Sequence, residues 1–213
     1  MSRWIDITRP VDENLPCWPG RAPPEHRWEK SLGAGDHCNV SMWRINAHAG
    51  THMDAPLHFF ADGKPIDQIP AEIFLGRCEI VDLSSPDAAP FDVDLAKRYC
   101  GVERLLIRTA HSAGITRTGY QPHDALMSEA AAAVLIEGGL RLIGTDRLSV
   151  DDSAGKGFEL HHRFLGADCV IVEGLLLTEV SAGLYQLYAA PLRLTNTEAS
   201  PVRALCQPET AKP

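Results

Sequence analysis

INAHAGTHMDAPLHFF, residues 45–60, sets four groups with metal-ligand or acid–base chemistry at even spacings: His48, His52, Asp54 and His58. Regular secondary structure does not bring them together. On a strand they share a face, but His48 and His52 stand about 13 Å apart. Metal–nitrogen bonds of about 2 Å cannot span that distance. On a helix His48 and His52 meet, yet Asp54 points away around the axis, and both Gly50 and Pro56 oppose a helix. The spacing instead predicts a strand ending near Ala47 and a loop that curls at Gly50 and folds the ligands inward. Pro56 then fixes the exit and leaves His58 beside the same cavity. Two imidazoles and a carboxylate suit zinc, iron or manganese, and a three-ligand set leaves a position for water. An isolated HxxxH pair is commonly structural; four such groups between 48 and 58, among turn-forming residues, favour metal binding.

The rest of the chain bounds the setting. Its 213 residues suffice for one sizeable core, and residues 1–213 read as a single domain. A composition of 45% hydrophobic and 23% charged residues is that of a globular protein in water. Twenty basic against 28 acidic residues give a net charge of −8. With no Lys/Arg-rich patch, that argues against a nucleic-acid partner. The N-terminal residues carry charges where a signal peptide needs an apolar run, and no later segment reaches the length of a membrane span. The expectation is a cytoplasmic protein with no membrane association. The six cysteines (17, 38, 78, 100, 169 and 206) include no CxxC pair and read as free thiols.

Residues 38–47 alternate as a strand, with Trp43, Ile45 and Ala47 on one face and Val40 and Met42 on the other. Residues 78–83, 104–109, 140–146, 169–177 and 185–194 read as further strands, the first two buried. Asp92 can cap a short helix that stops before Gly101. Ser128 can cap an alanine-rich helix that Gly138 and Gly139 terminate. Strands outnumber helices without a regular βαβ alternation. The fold class expected is α/β, with a mixed sheet or barrel-like core and flanking helices.

A second chemical clue lies downstream. Glu173 closes the apolar run CVIV, where an unpaired carboxylate is costly to bury. A metal would neutralise it, and His161 and His162 are the nearest preceding imidazoles. Asp54, with two oxygens, could bridge one ion held by His48 and His52 and another held by His161 and Glu173. A core glutamate paired with Arg147 or Arg163 explains the same residue equally well.

HAGTHMDAPLHF, residues 48–59, resembles the HxGTHxDxPxH signature of the metal-dependent cyclase-like hydrolases. The resemblance extends through CWPG near the start, FADGKPIDQIP, GTDRLSVD, LHHRFLGADCVIVEGL and APLRLTNTEASPVRAL. Within that family it is greatest to bacterial enzymes that hydrolyse aryl formamides. The resemblance implies a swivelling β/β/α fold and a homodimer or higher homo-oligomer. It implies one zinc on His48, His52 and Asp54, and a second, bridged by Asp54, on His161 and Glu173, with manganese as the alternative metal. His58 becomes the proton donor and acceptor, and Trp18 of the WPG turn a contact for a small aromatic amide. The implied reaction is hydrolysis of N-formylkynurenine to kynurenine and formate in tryptophan breakdown. Read without the resemblance, Trp18 plugs a turn. Asp146 and Ser149 either orient a ligand or cap the turn after a strand. Phe59 stands where a tyrosine is expected, and Arg193, Glu198 and Ala199 depart from the family's usual ending. These departures are expected to reshape a pocket without touching the metals. The rival readings are an enzyme that opens a cyclic amide or lactone, such as isatin, and a non-catalytic metal-binding protein on the same scaffold.

Overall fold

Strands that are apolar on both faces need cover on both faces, and that requirement shapes this fold. The computed structural model is described over residues 3–85, 87–111, 123–152 and 157–209. Its strands are β1 (Ile5–Asp6), β2 (Glu25–Lys30), β3 (Val40–Arg44), β4 (His52–Asp54), β5 (Leu75–Leu83), β6 (Arg104–Thr109), β7 (Leu142–Thr145), β8 (Val170–Glu173), β9 (Gly183–Pro191) and β10 (Ala199–Pro208). The α-helices are α1 (Ala71–Phe74), α2 (Val93–Lys97), α3 (Glu129–Glu137) and α4 (Glu159–Gly166).

β5, β6, β7 and β8 run parallel and adjacent. Antiparallel β4 pairs with β8 and β10, while β9 pairs with both β5 and β10. The order β10-β4-β8-β7-β6-β5-β9 therefore closes on itself as a barrel, with β1 extending the β4 edge of β10. Alternation along each strand feeds two cores. Met53, Ile80, Leu106, Leu142, Val170 and Val172 point into the barrel. Leu105, Ile107, Ile143 and Ile171 point outward, under Ala131, Ala132, Leu135, Leu160 and Phe164 of α3 and α4. This is the mixed, barrel-like sheet with flanking helices that the sequence predicts.

The helices start where their caps dictate. Asp92 Oδ1 accepts a hydrogen bond from Leu95 N at 2.8 Å, and Ser128 Oγ accepts one from Ala131 N at 3.2 Å. Ala131 and Ala132 of α3 lie fully buried against the sheet. Several strand bounds differ from expectation. The strand read over 38–47 ends at Arg44, and all of β3 is exposed, paired with β2 in a hairpin arm beside the barrel. The strands read over 169–177 and 185–194 are β8 and β9, shorter at their C-terminal ends. Residues 52–54, expected as loop, form β4, because β8 and β10 offer backbone partners on both sides. Among the described residues all six cysteines are free, and no helix is long and apolar enough to cross a membrane.

Candidate functional site

The period of β4 places the first ligands. Met53 enters the barrel, so His52 and Asp54 face outward beneath α4. Directly opposite His52 on the neighbouring strand is Glu173, the last residue of β8. His161, in the first turn of α4, comes down on the same spot from above. His48 arrives from the turn after β3, its backbone N–H donating to Asn46 Oδ1 at 2.9 Å. Gly50, at φ 66°, then takes the left-handed conformation that turns the chain into β4. Pro56 opens a 3-10 turn, Pro56–His58, which carries the His58 ring to 4.3 Å from that of His48 and 5.8 Å from that of His161.

Five of the candidate residues, His48, His52, His58, His161 and Glu173, thus meet around Asp54, while Trp18 stands apart on the wall of the cavity above. Asp54 Oδ1 lies 2.9 Å from His48 Nδ1 and 3.5 Å from His52 Nε2, and its Oδ2 lies 3.6 Å from His161 Nε2. Glu173 stands 3.5 Å from Nε2 of both His52 and His161. Asp54 is fully buried, and neither carboxylate oxygen accepts a hydrogen bond of acceptable geometry. An anion so placed calls for a cation. Two ligand groups have atoms within 4.8 Å of one another: His48, Asp54 and His58; and His52, Asp54 and Glu173. Asp54 belongs to both. This grouping brings His58 within ligand range and pairs Glu173 with His52, whereas the sequence reading sorts these residues differently.

The imidazoles are oriented from behind. His52 Nδ1 is 3.0 Å from the Gly50 carbonyl, and His161 Nδ1 is 2.5 Å from Asp151 Oδ2. Both rings therefore turn Nε2 toward the cluster, as metal-binding histidines do. Asp151 also accepts backbone hydrogen bonds from Leu160 and His161, tying the start of α4 to the site. Glu173 Oε1 accepts from Val150 N at 2.8 Å. Arg163 pairs instead with Glu129, and Arg147 donates to the Asp124 carbonyl, so neither supplies the core ion pair considered for Glu173.

Burial disfavours charge here, yet the groups charge one another. Burial opposes the His52 cation, but Asp54 and Glu173 raise its pKa to about 9. Burial likewise opposes His161, but Asp151, Asp54 and Glu173 lift it to about 10. Asp54 is held well below the usual carboxylate range by His52, His161 and His48, against the upward push of burial. His58 behaves oppositely: burial, with His48 and His161 nearby, lowers its pKa to about 4 despite Asp54. It is a neutral imidazole at pH 7.

Above the cluster opens a cavity of about 280 Å³, reached by His48, His52, His58, His161 and Glu173. Its wall is aromatic. Trp18 lies 6.5 Å from Phe158, Phe158 5.5 Å from Phe59, and Phe59 4.9 Å from His161. Phe158 takes a left-handed backbone, φ 55°, which is uncommon for a bulky residue and marks local strain at the cavity. His162 packs outside this wall against Phe59 and Phe60.

The sequence reading missed Asp151, Phe158, Asn46 and Arg21, which carry no periodic signal linking them to the histidines. Ser149 lines the cavity and accepts from Asp151 N. Asp146 accepts from Thr109 N and Oγ1, fastening the ends of β6 and β7. One expectation needs correction: Glu198 Oε1 lies 3.3 Å from His48 Nε2, so the divergent C-terminal segment does reach the cluster.

A closed mixed barrel with a buried His/Asp/Glu cluster under α4 is the setting in which the comparisons fall. The sequence profile of the Cyclase family matches residues 5–152, and the chain belongs to that family. It is 37% identical over 204 residues to the kynurenine formamidase of Geobacillus thermodenitrificans (strain NG80-2), covering 96% of this chain and 97% of that one. Identity is 36% over 208 residues to the kynurenine formamidase of Bacillus cereus, covering 97% and 98%. Among solved structures, a predicted metal-dependent hydrolase from Bacillus stearothermophilus superposes with a TM-score of 0.77 at 26% identity, over 98% of this chain and 100% of that one. An isatin hydrolase bound to thioisatinate gives a TM-score of 0.80 at 19% identity, over 97% and 92%, a likeness of fold.

Proposed function

We propose that the chain is a metal-dependent amidohydrolase that cleaves the aryl formamide N-formylkynurenine to kynurenine and formate. The observation that carries the reading is the fully buried Asp54 carboxylate, shared by three imidazoles beside Glu173, under an aromatic cavity. The full-length likeness to kynurenine formamidases supports the choice of substrate.

The donor set fits zinc, with manganese as the alternative. In this reading His48, His52 and Asp54 would hold one ion, and Asp54, His161 and Glu173 would hold a second. A bound metal supplies Lewis acidity, polarising a carbonyl oxygen and lowering the pKa of water from about 15.7 toward about 7. His58 carries the proton. Neutral at pH 7, it takes the proton of the attacking water at its ring nitrogen and delivers it to the departing aniline nitrogen as the C–N bond breaks. Trp18, Phe158 and Phe59 hold the substrate ring and keep bulk water from it. The reading includes a cytoplasmic homodimer. The exposed Trp28, Met42 and Trp43 of the hairpin arm support self-association, and the free cysteines support a reducing compartment.

Formate release from N-formyl-L-kynurenine, compared with opening of isatin under the same conditions, tests the assignment. A higher kcat/KM on the formamide supports it; faster opening of isatin replaces it with a cyclic-amide hydrolase.

A further inference from the structure

We propose that Arg21 determines specificity by binding a carboxylate on the substrate's side chain, so that the cavity selects aryl amides carrying a pendant anion. The proposal rests on the amidohydrolase reading above and assigns a residue to a part of the substrate that the metal cluster does not touch.

Trp18, Pro19, Gly20 and Arg21 form one hydrogen-bonded turn. Arg21 N donates to the Trp18 carbonyl at 3.0 Å, and Gly20 has φ 84°, the type II pattern with proline second and glycine third. Both ends of this turn line the cavity. A short, proline-stiffened element thus holds an aromatic face and a guanidinium on the same opening. Arg21 is exposed and makes no ion pair among the described residues. It is the sole lysine or arginine among the described residues that line the cavity. Glu173, the single carboxylate among the described residues of the lining, sits against His52 and His161 in the buried cluster.

The charge of the whole chain sharpens the point. At a net −8 the protein repels anions in general, so a lone unpaired arginine at the cavity is where one is admitted. A guanidinium presents a planar fork of donors that matches a carboxylate in two parallel hydrogen bonds, which lysine does not reproduce. A ligand with its ring against Trp18 and a flexible chain ending in a carboxylate satisfies both ends of the turn. A neutral cyclic amide such as isatin leaves the guanidinium without a partner.

The test compares wild type, Arg21→Gln and Arg21→Lys on N-formyl-L-kynurenine and on 2′-formamidoacetophenone, the same aryl formamide without the amino-acid side chain. The quantity read is the ratio of kcat/KM for the carboxylate-bearing over the carboxylate-free substrate. Arg21→Gln should lower that ratio about tenfold, which corresponds to about 1.4 kcal/mol, chiefly through KM for the carboxylate-bearing substrate. Arg21→Lys should restore part of it, and added salt should shrink the wild-type ratio. An unchanged ratio in Arg21→Gln overturns the proposal. A binding measurement separates it from the formamidase reading: 4-oxo-4-phenylbutanoate against its neutral amide, titrated into each zinc-loaded protein. A wild-type preference for the carboxylate that Arg21→Gln abolishes sustains the role of Arg21 even if neither formamide turns over. Equal affinity for the two probes in wild type overturns it.

Discussion

Loading zinc into the metal-free protein at pH 7 should expel about two protons. His52 and His161 face Asp54, Glu173 and Asp151 in a buried setting, where burial is outweighed and their pKa values stand near 9 and 10. At pH 7 both rings are therefore protonated, and each must lose the Nε2 proton before it can ligate. Affinity for zinc at each site should then rise about tenfold between pH 7 and pH 8, whereas an imidazole of ordinary pKa, about 6.5, would give less than about twofold. A chelator competition at the two pH values, corrected for the chelator's own protonation, reads the affinity. Calorimetry in two buffers of different ionisation enthalpy reads the protons directly. The same shifts fix the sign of a stability effect. A histidine whose folded pKa lies above its unfolded value stabilises fully below about pH 6.5 and loses that contribution as pH rises through the folded pKa. The Tm of chelator-stripped protein should thus fall between about pH 7 and pH 10. Release of fewer than one proton at pH 7, with a flat Tm over that range, refutes the charge coupling inferred for the cluster.

Two substitutions separate the roles around Asp54. Asp54→Asn should lose both ions, because a neutral amide is a poor bridge between cations, while Glu173→Gln should weaken one site preferentially; full occupancy of both sites in Asp54→Asn, measured by elemental analysis, would falsify the bridging assignment. His58→Ala should retain its metal and lose about 10²–10⁴ in kcat; loss of metal in step with activity would instead make His58 a ligand, as its proximity to His48 and Asp54 allows.

How much of this was legible in the sequence follows from how local each signal is. His48, His52, Asp54 and His58 fall in one short segment, and Gly50 and Pro56 mark its turns, so the convergence could be reasoned from chain geometry. That residues 52–54 form a strand could not. Three residues are too few to show alternation, two of them are polar, and their partners at 171–173 and 199–201 lie more than a hundred positions away. β10 was hidden for a related reason: it contains Pro201 and Pro208, and proline lacks the N–H that a strand ladder uses. The buried strands β5 to β8 were plain because continuous apolar runs demand cover on both faces. α4 was not assigned, since its two histidines and an arginine interrupt the apolar pattern and its capping carboxylate, Asp151, lies eight residues before the helix begins. Arg21 and Phe158 reach the cavity only through tertiary folding, and no spacing announces them.

The most direct test of the central claim is one titration. Protein stripped with a chelator is given increasing equivalents of zinc, and formate release from N-formyl-L-kynurenine is measured on the same samples whose metal content is determined. The account predicts negligible formate without metal and activity that rises with zinc and levels off near two equivalents per chain. Undiminished formate release from the stripped protein, or no release at full occupancy, would contradict it.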